Sequence, residues 1–238
     1  MDFLEATKEY NLTIGDFDEN DQIKPSAILN YFQDVAAWHS WQLHAGYSHL
    51  LAENKIWILI KNKFIIYEQP SFFESIKIKS WPLPNDKIYY PRSYQIKNHS
   101  EKIIGEGMSL WAIINLKSQM IARTPWNLGD CYNPTRLMSF EKKIETPLQD
   151  QLVDKYTVRS FDVDHYHHMN NAMYANLIHH VQGLLHLLPV TNLEIHYLRQ
   201  AKLYDTIYLS FSENNHSWFV FGKDDYQNMI FSSQIKKP

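Results

Sequence analysis

Apolar positions recur at two spacings along this chain, and the spacing changes in the same order twice. Ile28, Phe32, Val35 and Ala36 fall three or four residues apart, the period of one helix face. Tyr174, Leu177, Ile178, Val181 and Leu185 repeat that stripe downstream, and Pro189 ends it. Pro25 suits the first turn of the earlier helix, and Asn170 or Asn171 is a good N-cap for the later one. Ahead of each helix lie a short strand pattern, near 9–14 and 155–161, and a D-x-D loop, Asp16-Phe17-Asp18 and Asp162-Val163-Asp164. Behind each helix the period shortens to that of strands. These are expected near 56–67, 75–82, 88–97 and 102–116, and again near 193–198, 206–212, 217–222 and 229–235. Asn98-His99-Ser100 and Asn214-Asn215-His216 read as hairpin connections. A long helix followed by an antiparallel sheet predicts a sheet wrapped around the helix.

The two runs match residue by residue. Asp16, Asp18, Ile23 and Asn30 face Asp162, Asp164, Met169 and Asn176 at one offset, 162 minus 16, or 146. Gln69, Glu74, Ser75 and Ile76 face Gln200, Asp205, Thr206 and Ile207 at 200 minus 69, or 131. Two collinear matches in the same order point to a duplicated unit. The expected division is an N-terminal unit over 1–128, a linker over 129–148 with Gly129, Pro134 and Lys142-Lys143, and a C-terminal unit over 149–238.

Composition supports sheet: aromatics reach 14%, and aromatic side chains fit pleated, half-buried surfaces. Only 7 glycines argue against a glycine-rich nucleotide site. A formal net charge of -3 gives no bulk attraction to nucleic acid or to an anionic membrane. The single cysteine, Cys131, makes neither a disulfide nor a zinc framework, so a reducing compartment is expected. Asp2, Glu5, Lys8 and Glu9 interrupt the start of the chain where a signal peptide would be apolar. The run Ile56 to Ile60 is too short to span a bilayer. Together these predict a cytoplasmic protein without membrane insertion.

Several segments carry a likeness to a known family. In the first half these are Asp18, Pro25-Ser26, Leu29 to Gln33 and His39, then Trp57, Ser80-Trp81-Pro82, Arg92-Ser93-Tyr94 and Ser109-Leu110-Trp111 running to Asn115. In the second half Asp162 to Asp164, His168-Met169-Asn170-Asn171 and Tyr174 resemble a D-x-D-x-N-x-H-V-N-N-x-x-Y segment. In order, they resemble the acyl-acyl carrier protein thioesterases. That resemblance implies an α+β fold of two tandem hotdog domains, each a long helix wrapped by an antiparallel sheet. It implies hydrolysis of the thioester joining a fatty acyl chain to the phosphopantetheine arm of acyl carrier protein, with no cofactor or metal. The first domain would shape the acyl pocket and the second would hold the catalytic groups. Oligomeric state stays open between monomer and homodimer.

Thioester hydrolysis needs a positioned water, a base and donors aimed at the developing oxyanion. The helix starting near Asn170 offers exposed N–H groups at a positive dipole end. Asp164 and His168 match the family's Asp and His, as water activator and proton-sharing partner. Asp164 as a loop carboxylate capping its own backbone is the structural alternative. The catalytic set is Asp164, His168 and Gln200, with Tyr166, Asn170 and Asn171 at the substrate. Two positions depart from the family: Tyr166 stands where an Asn is usual, and Gln200 where an acidic residue is. Gln200 positions water but takes no proton. An acyl-CoA thioesterase and a weakened acyl-binding relic are the competing readings.

Other signals weigh less. His165, His167 and His168 resemble a metal cluster only on paper, because on an extended segment the third would face away from the first two. His179 and His180 read as surface or edge, and Phe32, Trp38 and Trp41 as core more than pocket. No G-x-S-x-G elbow appears.

Overall fold

Two helices lie against one face of a continuous antiparallel sheet in the computed structural model, which describes residues 4–122, 132–145 and 150–237. The first half runs β1 (Ala6–Asn11), α1 (Pro25–Gln42), α2 (Tyr47–Ala52), β2 (Lys55–Ile66), β3 (Ser75–Pro82), β4 (Tyr89–Lys97), β5 (Ile103–Asn115) and the short β6 (Met120–Ile121). The second runs β7 (Gln151–Thr157), α3 (Asn171–Leu184), β8 (Asn192–Tyr197), β9 (Thr206–Glu213), β10 (Ser217–Lys223) and β11 (Met229–Lys236). Across the sheet the order is β1-β3-β4-β5-β2-β8-β11-β10-β9-β7, with β6 on β5. Matching each strand to its counterpart in the other half, this order reads the same from either end. The halves join where β2 pairs with β8, Asn62 opposite Ile195 and Phe64 opposite Leu193.

The packing explains the elements. On α1, Ile28, Phe32, Val35 and Ala36 are buried, as the helical spacing requires. Phe32 stacks on Tyr94 of β4 with ring centroids 4.1 Å apart. Gly107 of β5 makes room for that ring: a Cβ there would sit 2.1 Å from Phe32 Cε2. On α3, Tyr174, Leu177, Ile178 and Val181 enter the same core.

Three local features differ from the sequence expectation. The short strands begin earlier, at Ala6 and Gln151, and each yields to a tight turn over 14–16 or 160–162. The cause is a carboxylate: Asp16 Oδ2 accepts the Thr13 amide at 2.7 Å, and Asp162 Oδ2 accepts the Arg159 amide at 2.8 Å. Such side-chain bonds offer the backbone an alternative to the ladder. Second, α3 stops at Leu184, ahead of Pro189. Both helices close on a left-handed histidine, His44 at φ 54° and His186 at φ 52°. Those two are 186 minus 44, or 142, apart instead of 146, so α1 carries one extra turn. Third, α2 has no counterpart in the second half.

The expected linker is more than a tether. Cys131 and the linker's ends, 129–131 and 146–148, lie outside the described residues. Residues 132–145 run as an irregular strap across the sheet face opposite the helices. Leu137, Met138 and Phe140 cover Trp81, Leu83 and Met108, and Ile144 packs on Phe219 and Phe221. Lys63 reaches Ser139 O at 2.9 Å and Trp81 Nε1 donates to Thr135 O at 2.8 Å, so the strap's carbonyls are held by the sheet's side chains.

Candidate active site

The loop ahead of α3 is built by backbone bonds. The Asp164 amide donates to His168 O at 2.9 Å, closing a turn in which His167 is left-handed at φ 62°. This corrects the extended segment assumed from sequence: the three neighbouring histidines do not alternate faces. Among the described residues no group of three or more His, Cys, Asp or Glu is placed to hold a metal ion. The matching loop of the first half is the same turn, with Asp21 at φ 59° and the Asp18 amide on Gln22 O.

Three links tie this loop to the end of β8. The Met169 amide donates to Ala201 O at 2.8 Å, the Ala201 amide donates to Tyr174 Oη at 3.1 Å, and Tyr197 Oη donates to Asn171 O at 3.2 Å. They bring Gln200, just past the strand, beside the helix start. Asp164, Tyr166, His168, Asn171 and Gln200 all line one cavity of about 560 Å³. Asn170 is not in that wall. Its side chain caps α3, taking the Ala172 amide at 2.9 Å. The Asn170 carbonyl takes the Met173 amide. The Asn171 N–H lies in the first turn of α3, where no carbonyl of the helix can accept it.

Asp164 serves both readings offered by the sequence. Its Oδ1 accepts the Tyr166 amide at 2.9 Å, a local cap, while the residue remains part of the cavity wall. His168 Nδ1 is sealed from solvent and has no partner among the described residues, so Nε2 is the nitrogen open to chemistry. Burial, and then Lys202, push the His168 pKa below its usual 6.5 against the pull of Asp164. The ring is therefore a neutral base near pH 7. Tyr166 is held protonated, its pKa pushed up to about 12 by burial, then by Tyr47 and Asp164. Its ring meets Tyr47 edge-on, with centroids 5.3 Å apart. Tyr166 thus reaches across to α2 of the other half.

The opposite wall comes from the first half: α1 residues Ala36, Ser40 and Trp41, the α2 approach, and β2 from Ile56 to Ile60. Trp41 is 61% exposed and lines the cavity, which corrects its assignment to the core; Phe32 is core. Tyr90, Arg92 and Trp111 continue the wall along β4 and β5. Arg92 carries no local signal of a place in this wall, because Ser93, Gln95 and Lys97 make β4 polar elsewhere too. His179, expected at the surface, instead joins the halves, its Nε2 3.1 Å from Asp18 Oδ2. Among the described residues no helix is long and apolar enough to cross a membrane.

Residues 4–132 match the family model of the acyl-ACP thioesterase N-terminal domain, and residues 145–229 that of the C-terminal domain. The chain is 22% identical over 162 residues to a chloroplastic acyl-acyl-carrier-protein hydrolase, FATB3, of Cuphea viscosissima, covering 62% of this chain and 39% of the relative. It is 23% identical over 172 residues to the chloroplastic oleoyl-acyl carrier protein thioesterase 2 of Arabidopsis thaliana, covering 63% and 47%. The chain thus spans under half the length of these curated relatives. Among solved structures it resembles an acyl-ACP thioesterase from Bacteroides thetaiotaomicron, with TM-score 0.87, 19% identity, and 98% and 97% of the two chains covered. It also resembles the 12:0-ACP thioesterase from Umbellularia californica, with TM-score 0.82, 12% identity and 98% of each chain covered.

Proposed function

This chain belongs to the acyl-ACP thioesterase family, and from that premise we propose that it hydrolyses fatty acyl-acyl carrier protein to free fatty acid and carrier protein. One observation carries the proposal: Asp164, His168 and Gln200, from a loop and a strand end, line the same cavity as the tip of α3. In this reading the chain is two tandem hotdog units. The unit over 1–128 supplies the acyl wall, 129–148 is the linker, and the unit over 149–238 supplies the chemistry. The single cysteine favours the cytoplasm as the place of action.

The acyl thioester enters with its carbonyl oxygen toward the Asn171 amide, where the positive end of α3 stabilises the developing oxyanion. A water sits between Gln200 and His168. His168 Nε2, kept neutral by burial, takes its proton as the oxygen attacks the carbonyl carbon. Asp164 stabilises the imidazolium so formed. The tetrahedral intermediate collapses, the C–S bond breaks, and the proton passes to the departing thiolate. Gln200 holds the water without taking its proton, so all basic work falls on the loop. Asn170 acts one step back, as the cap that keeps the helix tip in place.

The test is a release assay on one acyl group carried either by acyl carrier protein or by CoA. Faster turnover on the carrier form, with at least about a hundredfold loss in Asp164→Asn and His168→Gln, is the expected result. Equal rates on both carriers would favour the acyl-CoA reading. Bound acyl group with no turnover would favour the relic.

A further inference from the structure

The loops ahead of the two helices are alike, and the first shows a contact that bears on the second. Asp18 and Asp164 are 146 apart, as are the helix starts Pro25 and Asn171. Along the helices the same offset pairs Phe32 with Ile178 and Val35 with Val181, all four at 1% exposure or less. Gln33 therefore holds on α1 the place that His179 holds on α3, 179 minus 33 being 146. In the first half that place faces the loop acid: His179 Nε2 lies 3.1 Å from Asp18 Oδ2. α1 and α3 share one core, so each helix turns this position toward the other half's loop.

Gln33 and Asp164 line the same cavity, and both are half-buried. Asp164 Oδ1 accepts the Tyr166 amide, while Oδ2 takes no hydrogen bond among the described residues. The Gln33 carboxamide makes none there either, and neither group is sealed in protein. A carboxamide offers two N–H donors and does not titrate, so it can serve a carboxylate at any working pH. Its bond to an ionised acceptor is about twice as strong as one to a neutral acceptor. An acyl chain filling the cavity strips water from both groups, and in the drier site each costs more left unpaired.

We propose that Gln33 is a positioning residue for hydrolysis: with the acyl thioester bound, its carboxamide donates to Asp164 Oδ2 across the junction of the halves. The bond fixes the carboxylate beside His168, where the imidazolium forms. This rests on reading the cavity as the acyl site. It deepens that reading by giving the first half a part in the chemistry as well as in the acyl wall.

The experiment compares the wild-type chain with Gln33→Ala, Gln33→Glu and the mirror change His179→Gln on one fatty acyl-acyl carrier protein. Gln33→Ala should lower kcat by at least about tenfold, the scale of one charge-assisted hydrogen bond, with KM little changed. His179 occupies the corresponding place outside the cavity wall, so His179→Gln should leave kcat unchanged. Gln33→Glu sets a second carboxylate near His168, which already feels Lys202, Asp164 and His167. A nearby negative charge favours the imidazolium, so the acid limb of kcat/KM should move up by roughly half a unit or more. A role in packing alone would not move that limb. An unchanged kcat in Gln33→Ala, an equal loss in His179→Gln, or an unmoved limb in Gln33→Glu overturns the proposal while leaving hydrolysis by the wild type intact. If the wild type hydrolyses no acyl carrier protein, the hydrolytic reading fails separately. NMR titration of the histidine signal that His168→Gln removes then decides. A pKa raised in Gln33→Glu upholds the place of Gln33 beside Asp164, and an unchanged one ends it.

Discussion

At the residue scale the site turns on one imidazole in two environments at once. His168 packs Nδ1 into protein without a partner and leaves Nε2 accessible, while burial and Lys202 lower its pKa against Asp164. The sign follows directly. A lowered pKa keeps the basic form populated to lower pH than in free histidine, so activity falls only once pH drops through the lowered value. The acid limb of the pH profile of kcat/KM should therefore lie below about 6.5. A limb at or above that value would show that His168 is not the titrating base. Asp164 and His168 stood out in the sequence because both sit in a short motif ahead of a helix. The buried state of Nδ1 did not, since burial depends on how the loop packs in the folded chain. Nor did Arg92's place in the wall, because inward orientation depends on strand register.

At the scale of elements, sheet and helix meet through close fits. Gly107 faces Phe32, whose ring would be 2.1 Å from an added Cβ. Gly107→Ala should destabilise by about 1–3 kcal/mol, the usual cost of overpacking. Adding Phe32→Leu should recover part of this in urea unfolding, because the smaller side chain yields the space. On the other face the strap is held by a buried acid. Glu194 accepts the Glu141 amide at 2.8 Å, lies 2.9 Å from Lys63 and 2.7 Å from His196. Burial pushes its pKa up, but His196 and Lys63 outweigh burial and hold it below the ordinary carboxylate range. A lowered folded pKa contributes stability above the unfolded value, near 4.3, and loses it as pH falls through the folded one. Glu194→Gln should cost about 1–3 kcal/mol by leaving the partly buried Lys63 without its counter-charge. It should also flatten the acid dependence of the urea midpoint. An unchanged midpoint would mean the strap holds without this acid.

At the scale of the molecule, neither half is closed by itself. β2 and β8 share a ladder, α1 and α3 share a core, and the pair Asp18–His179 bridges the units. The cavity too has one wall from each half. The chain should therefore unfold as one cooperative unit. Six of the seven tryptophans precede residue 129, so fluorescence reports mainly the first half and far-UV circular dichroism both. Their urea midpoints should coincide, and two separated midpoints would show independent domains.

The sequence alone determined what depends on local chemistry: two helices by their apolar period, strands by theirs, an asparagine cap at 170 or 171, and a loop with Asp164 and His168 before a helix. The repeated order of elements was also legible, because the offsets 146 and 131 are carried by the residues themselves. The tertiary structure decided what depends on distant segments meeting. It turned the linker into a strap, set Tyr166 against Tyr47, gave Trp41 to the cavity, and placed a charged arginine in its wall. Spacing along the chain fixes which face a residue takes within its own element. Which faces become opposite walls of one cavity depends on how the sheet pairs across its middle, and no local period encodes that.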